Sequence, residues 1–207
     1  MPDAYSHGHH ASVLRSHRWR TVENSAAYLI PHLQPGLDLL DVGCGPGTIT
    51  LDLAQRVAPG RVVGLDAAAD VIEQAGAAAA AANASVEFAV GDTYALQFED
   101  ASFDVVHGHQ VLQHLADPVA ALREWRRVCR PGGVVAARDA DYEAMCWFPA
   151  EPGLDHWLDL YRRLARLNQG EPDAARHLVS WASDAGFTGV EPTASAWCFA
   201  TPEDREW

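Results

Sequence analysis

The sequence predicts an α/β fold: a mostly parallel, doubly wound sheet with helices on both faces. From Leu37 onward, short apolar runs alternate with longer stretches of helical periodicity, which is typical of a parallel sheet with crossover helices. The apolar runs are continuous, as expected for strands covered on both faces. A length of 207 residues suits a single domain with a sizeable core.

The first strand and helix are predicted on either side of a glycine-rich turn. A buried strand covers residues 39–43, and a helix follows over 48–57. In that helix Ile49, Leu53 and Val57 recur every four residues, which places them on one face.

The second strand–helix pair and the third strand follow in the same order. The run RVVGLD predicts a strand over 61–66. The helix over 70–82 begins at Asp70, a residue type that caps helix N-termini, and its alanine run has the highest helix propensity. The alternating segment 85–90 predicts the third strand.

The fourth and fifth strands flank another helix. The strand is predicted over 103–107, and the helix over 118–129 begins at a proline, which is favoured in the first helical turn. Residues 131–133 (PGG) predict a turn, and residues 134–138 predict the fifth strand.

Two more helices and a sixth strand are predicted in the C-terminal part. Apolar residues at i, i+3, i+4, i+7 and i+10 from Leu154 predict an amphipathic helix over 154–167. A helix over 174–185 is closed by Gly186, and residues 189–199 predict a sixth strand.

Composition restricts the class of protein and its expected cellular location. The formal net charge is −13, which opposes a general nucleic-acid binder. There is no apolar signal segment and no run of about 18 apolar residues, so neither secretion nor a membrane span is predicted. The four cysteines are scattered without a C-x-x-C pair, which predicts no zinc or redox motif and favours a reducing cytoplasm.

The strongest chemical signal is the turn formed by Gly43, Gly45 and Gly47. Its glycines allow a close backbone approach to a ligand, and the following helix N-terminus offers free N–H groups. Asp66 ends the second strand, where a carboxylate can accept both hydroxyls of a ribose or can cap a helix. The G-x-G-x-G spacing departs from the G-x-G-x-x-G of dinucleotide-binding folds, and a nicotinamide-dependent oxidoreductase remains an alternative.

Four motifs together resemble a known family. LLDVGCGPG, VVGLD, VGDTYALQFEDASFDVV and LQHLADPVAALREWRRVCRPGGVV occur in this order. They resemble class I S-adenosylmethionine-dependent methyltransferases, and within them the small-molecule group that includes the ubiquinone and menaquinone biosynthesis enzymes. The resemblance covers residues 37–138 and implies a Rossmann-like fold, the cofactor S-adenosylmethionine and methyl transfer to a small molecule.

The resemblance also implies residue roles. The three glycines of the turn match the motif under the methionine part of the cofactor, and Asp66 matches the ribose-binding acid. Asp92, followed by Thr93, matches the acid that binds the adenine amino group. Residues leaving the fourth strand, which include His107 and His109, match the segment beside the cofactor and acceptor.

Two further roles concern the acceptor. His109 lies where a general base could act on a hydroxyl or amine, although many enzymes of this family need none, and His107 is expected to line the cofactor pocket. Tyr142 and Trp147 follow the fifth strand, where relatives place residues that face the acceptor; a covered hydrophobic loop is the alternative. No metal site is predicted.

The resemblance implies a domain division. Residues 1–36 are expected to form a helical lid around 13–29, lined by Tyr5, His17 and Arg20, and residues 37–207 the methyltransferase domain. Because the family sheet usually has seven strands, we expect the last strand to be missing and an edge to be open. A non-catalytic cofactor-binding protein remains a second alternative, and the acceptor, the methylated atom and the oligomeric state are not specified.

Overall fold

The computed structural model describes residues 19–202 and contains one five-stranded parallel sheet. The strand order is β3-β2-β1-β4-β5. The strands are β1 (Leu39–Val42), β2 (Val62–Asp66), β3 (Glu87–Val90), β4 (Phe103–His109) and β5 (Cys129–Arg138). The chain reverses direction along the sheet between β1 and β4, and ligands of such folds bind near that switch point.

Helices cover both faces of this sheet. The α-helices are α1 (Val22–Ser25), α2 (Thr48–Val57), α3 (Ala69–Ala81), α4 (Pro118–Val128), α5 (Pro152–Leu167) and α6 (Leu178–Asp184). On one face α1 and α2 pack Val22, Leu53 and Val57 against Leu39 and Val105. On the other face α4 and α6 pack against the opposite side chains of the same strands.

The predicted fold class and its first five strands are confirmed. The PGG turn is also present, but it lies inside β5 as an irregularity. Phe103 pairs with Cys129 and Val105 pairs with Val134. The one residue between Phe103 and Val105 on β4 therefore lies opposite four residues on β5. Gly132 adopts φ +83° within this bulge, a conformation for which glycine has no steric penalty.

The predicted sixth strand is wrong. Residues 190–200 form no regular secondary structure and lie mostly exposed. Pro192 has no N–H to donate to a sheet ladder, and the segment is held by side chains instead. Arg138 Nε donates to Ser195 Oγ at 3.2 Å, and Trp197 Nε1 donates to the Asn24 carbonyl at 2.6 Å.

The last two predicted helices are present with changes. The amphipathic helix α5 buries Tyr161 and Ala165, whereas Leu154 and Trp157 of its apolar stripe are 43% and 47% exposed. The segment predicted as one helix over 174–185 divides into a 3-10 helix, Ala174–His177, and α6. The turn after α6 ends at Gly186, with φ +86°, as predicted.

The N-terminal segment is described only from Trp19. Part of the helix expected around 13–29 therefore lies outside the described residues. Within them, α1 begins at the capping residue Thr21, whose side chain accepts from Asn24 N, and a 3-10 helix follows over Ala27–His32. This segment packs beside α2, which brings Arg20 to the carboxyl end of the sheet.

Candidate active site

A cleft of about 900 Å³ opens at the carboxyl ends of β1, β2 and β4. Six of the sequence-predicted site residues line it: Gly43, Gly45, Asp66, Asp92, Thr93 and His109. Four others do not: Gly47, His107, Tyr142 and Trp147. The cleft therefore contains the residues expected at the nucleoside end and the candidate base.

The turn between β1 and α2 requires glycine. Gly43, Gly45 and Gly47 have φ of +66°, +56° and +83°, in the left-handed region that side chains disfavour. A Cβ on Gly43 would lie 2.4 Å from Val111 Cγ2. Gly47 caps α2 from behind the cleft, where an added Cβ would lie 3.0 Å from the Phe88 ring.

Asp66 fixes this turn from the end of β2. Its Oδ2 accepts from Gly45 N and its Oδ1 accepts from Ala68 N, both at 3.0 Å. An ionised carboxylate has about four acceptor sites, so each oxygen retains capacity for a ligand hydroxyl. The contacts hold the carboxylate rigidly at the wall of the cleft.

Asp92 and Thr93 follow β3 on the same side of the cleft. Asp92 Oδ1 accepts from Tyr94 N at 2.9 Å, which orients the carboxylate within a tight turn. Thr93 Oγ1 accepts from Trp125 Nε1 at 2.8 Å. Because Trp125 is fully buried, this bond ties the cleft wall to the core.

His107 lies beneath the cleft rather than in its wall. Its Nδ1 is 2.7 Å from Asp41 Oδ1, and Asp41 Oδ2 accepts from Thr50 Oγ1 at 2.6 Å. The ring is fully buried. The reason is that β4 continues two residues further, so that His109, not His107, reaches the cleft.

His109 ends β4 and leads into a strained residue. Gln110 has φ +56°, its N donates to the Arg138 carbonyl at 2.7 Å, and its Oε1 accepts from Arg20 Nη2 at 2.5 Å. The His109 ring lies 5.9 Å from that of Trp197. The sharp turn at Gln110 thus places the imidazole at the cleft and connects it to the N- and C-terminal segments.

The two predicted acceptor-facing aromatics lie elsewhere. Tyr142 is 7% exposed and packs on Tyr161 of α5, with ring centroids 4.3 Å apart. The chain after β5 turns into a 3-10 helix, Tyr142–Ala144, capped by Asp141. Trp147, which is half-buried, follows this turn outside the cleft. The covered loop that the sequence left open as an alternative is what the structure shows for Tyr142.

Several cleft residues were not singled out from the sequence. They are Cys44, Val71, Val90, Tyr94, Val111, His114 and Leu115. Most are apolar, and an apolar residue at a strand end gives the same sequence signal as a core position. They give the cleft largely apolar walls.

Asp139 is a buried carboxyl directly after β5. It is 7% exposed, and its Oδ1 accepts from Gln113 N at 3.0 Å. Its Oδ2 has no hydrogen-bond partner in residues 19–202. Burial raises the pKa of this carboxyl to about 7, against the smaller lowering effects of the backbone N–H groups and Arg138.

This pKa predicts a loss of stability with rising pH. The unfolded carboxyl titrates near 3.9, so between about pH 4 and pH 7 the folded state holds a proton that the unfolded state has lost. Stability from Asp139 is therefore complete below pH 4 and is lost as the pH rises through 7. Asp139→Asn, which mimics the protonated acid, is expected to remove a loss on the order of 4 kcal/mol across this whole pH interval.

Urea unfolding of both proteins at pH 5 and pH 8 measures this difference. The wild type should lose more unfolding free energy than the variant over that interval. The exposed residue Asp100, 78% accessible, provides the control Asp100→Asn. An equal pH dependence for wild type and Asp139→Asn would contradict the prediction.

The residues present fit S-adenosylmethionine. The glycines leave room that a Cβ would fill, since Gly43 already faces Val111 across the turn. Asp66 offers acceptors for a ribose diol, and Val71 and Val90 line an apolar slot beside Asp92. In the described part of the chain, no group of three or more His, Cys, Asp or Glu side chains is arranged to hold a metal ion.

The fold and the cleft define an α/β protein with a large ligand-binding cleft at the switch point of its sheet. Residues 40–137 match the family model described as a methyltransferase domain. An uncharacterized methyltransferase of Schizosaccharomyces pombe is 37% identical, and the match covers 98% of this chain and 76% of the relative. A demethylmenaquinone methyltransferase of Lactococcus lactis is 38% identical over 53% of this chain and 44% of its own.

Solved structures agree in fold. A SAM-dependent methyltransferase from Aquifex aeolicus superposes with a TM-score of 0.61 at 20% identity, over 80% of this chain and 81% of that one. The chain belongs to the class I S-adenosylmethionine-dependent methyltransferases. The oxidoreductase alternative finds no support among these relatives. Between Trp19 and Pro202, no helix is long and apolar enough to cross a membrane.

Proposed function

We propose that the cleft binds S-adenosylmethionine between Asp66 and His109 and that the chain transfers its methyl group to a small molecule held beside β4 and β5. The observation that carries this proposal is the convergence on one cleft of the glycine turn, Asp66, Asp92 and His109. When bound, the cofactor supplies a methyl group already activated by a positively charged sulfur. The protein must then orient the acceptor and exclude water.

The proposed binding roles follow the order of the strands. Asp66 accepts the ribose hydroxyls, the turn from Gly43 to Gly47 lies beneath the methionine part, and Asp92 with Thr93 holds the adenine edge. Gly47 contributes by shaping the turn, since it packs against Phe88 behind the cleft. His107 supports the site through Asp41 rather than through a ligand contact.

We also propose an N-terminal lid, a cellular location and the absence of a nucleic-acid partner. Arg20 lines the cleft, which supports a lid formed by residues 1–36 over a domain of residues 37–207. The four cysteines are free thiols, which supports a reducing, cytoplasmic location. We keep the prediction of no nucleic-acid partner on the net charge of −13.

The binding experiment compares S-adenosylhomocysteine with NAD in thermal unfolding and calorimetric titration. A ligand at about a hundred times its Kd stabilises the folded state by roughly 2.7 kcal/mol. S-adenosylhomocysteine should raise the Tm and NAD should not. Binding of NAD alone would overturn the proposal, and cofactor binding without methyl transfer to any acceptor would favour a non-catalytic role.

The proposed base is His109, which is 6% exposed and lines the cleft. For a hydroxyl or amine acceptor, His109→Gln is expected to lower kcat about 100-fold, because a general base contributes that order of rate. The affinity for S-adenosylhomocysteine should stay within twofold. A kcat that is unchanged between pH 6 and pH 9 would assign His109 a role in packing only.

A further inference from the structure

Arg138 is a half-buried arginine that has no carboxylate partner among residues 19–202. Its Nε donates to Ser195 Oγ at 3.2 Å, and its guanidinium carbon lies 4.5 Å from the centroid of the Trp197 ring. No acidic oxygen of residues 19–202 lies within 4 Å of its nitrogens. By contrast, the arginines Arg127, Arg130 and Arg176 each form ion pairs with two acidic residues.

The nearest acidic influence on Arg138 is weak. Asp139 follows it in sequence and attracts the guanidinium, but burial raises the pKa of the Asp139 carboxyl to about 7. Burial also lowers the pKa of Arg138, yet an arginine in a protein stays charged. A partly desolvated cation without a full counter-ion is costly, and a bound anion would offset that cost.

Strand register places Arg138 beside His109, which lines the cleft, and on the side away from Asp66. Val42 of β1 pairs with Leu65 of β2 on one side and with Gly108 of β4 on the other. His109 of β4 pairs with Arg138 of β5. One residue further along, Asp66, Gly43, His109 and Arg138 therefore form one row. Strands are about 4.8 Å apart, so the row spans roughly 14 Å.

The surroundings of Arg138 converge on the candidate base. The Trp197 ring on which Arg138 stacks lies 5.9 Å from the His109 ring and 5.7 Å from the guanidinium of Arg20. Arg20 is held at the cleft by Gln110, whose own N is held by the Arg138 carbonyl. Gln110 keeps a left-handed φ of +56°, and such strain clusters at functional sites.

We propose that Arg138, together with Arg20, binds an anionic oxygen group of the methyl acceptor, so that the substrate is a small molecule carrying a carboxylate or phosphate. This inference rests on the proposed function and adds to it the chemical class of the acceptor. Asp66 and Asp92 line the proposed nucleoside end of the cleft, whereas Arg20 lines it near Gln110 and Arg138 is the strand partner of His109. An acceptor anchored there by its anion presents its remaining groups to His109.

Matched ligand pairs test the proposal on the chain saturated with S-adenosylhomocysteine. The pairs are benzoate and benzamide, indole-3-acetate and indole-3-acetamide, and phenyl phosphate and phenol, each titrated by calorimetry. At least one anion should bind about tenfold more tightly than its neutral partner, as expected for charge-assisted hydrogen bonds. Preference in the first two pairs identifies a carboxylate site, and preference in the third alone identifies a phosphate site.

Variants show whether Arg138 is responsible. Arg138→Gln should abolish the preference and Arg138→Lys should keep part of it, because lysine retains the charge without the planar fork. The control Arg163→Gln removes a surface arginine of α5 whose side chain is 71% exposed and should keep the full preference.

The affinity for S-adenosylhomocysteine separates this proposal from the cofactor assignment. Arg138→Gln should bind it as the wild type does, which also verifies that the variant is folded. If no pair favours its anion while S-adenosylhomocysteine binds, the acceptor proposal is overturned and the cofactor assignment stands. A preference that survives in Arg138→Gln overturns the role of Arg138.

Discussion

Asp66→Ala is expected to weaken S-adenosylhomocysteine binding on the order of 100-fold or more. A hydrogen bond to a charged group contributes about 1.5–3 kcal/mol, and two ribose hydroxyls on one carboxylate correspond to at least two orders of magnitude in Kd. The same carboxylate accepts from Gly45 N and Ala68 N. Its removal therefore also loosens the turn on which the methionine part is proposed to lie.

Calorimetric titration and urea unfolding together separate these two effects. Asp66→Asn keeps one oxygen acceptor and the shape of the side chain, so its affinity should fall between those of Asp66→Ala and the wild type. The control Asp100→Ala removes an exposed acid paired with Arg127 and should leave the affinity unchanged. An Asp66→Ala protein that is folded and binds with wild-type affinity would sink the ribose assignment.

The cofactor half of the site was predictable because its residue types are dictated locally. Gly43, Gly45 and Gly47 occupy left-handed backbone positions that other residues disfavour, so the turn is visible in the sequence. Asp66 ends the second predicted strand and Asp92 comes two residues after the third, and strands that are parallel neighbours bring such residues to one edge. The order of strands and helices along the chain is therefore enough to predict that these residues lie together.

The acceptor half was less predictable because it depends on contacts between distant segments. Trp197 reaches His109, Arg20 and Arg138 from a segment without regular structure, which was predicted to be a strand. Tyr142 follows β5 as expected, yet the turn capped by Asp141 directs it onto Tyr161. Neither the cap nor the partner is set by periodicity.

The stripe on α5 shows a different limit of sequence patterns. Periodicity predicts which residues share a face, and Leu154, Trp157 and Leu164 do share one. It does not predict whether that face is covered, and here each of the three is more than two-fifths exposed. Coverage depends on the packing of other elements, which the pattern of one helix does not contain.

Asp41→Ala is expected to cost about 3–5 kcal/mol of unfolding free energy, the range for removing one partner of a buried ion or hydrogen-bonded pair. Asp41 is 2% exposed and is held by His107 Nδ1 at 2.7 Å and Thr50 Oγ1 at 2.6 Å. Alanine leaves both polar groups buried without a partner, and each unmet group carries its own desolvation penalty. The loss should exceed that of any surface substitution, since those usually stay within about 0.5 kcal/mol.

Urea unfolding midpoints of three variants decide whether the network or the cavity causes the loss. Thr50→Val removes one hydrogen bond at constant shape and should cost about 1 kcal/mol. Asp41→Asn keeps an acceptor and fills the same volume, so its cost should lie between those of Thr50→Val and Asp41→Ala. If Asp41→Asn is as damaging as Asp41→Ala, the negative charge opposite His107 is what matters. If all three cost less than about 1 kcal/mol, Asp41 does not anchor the floor of the cleft, and the rigidity of the glycine turn must come from Asp66 alone.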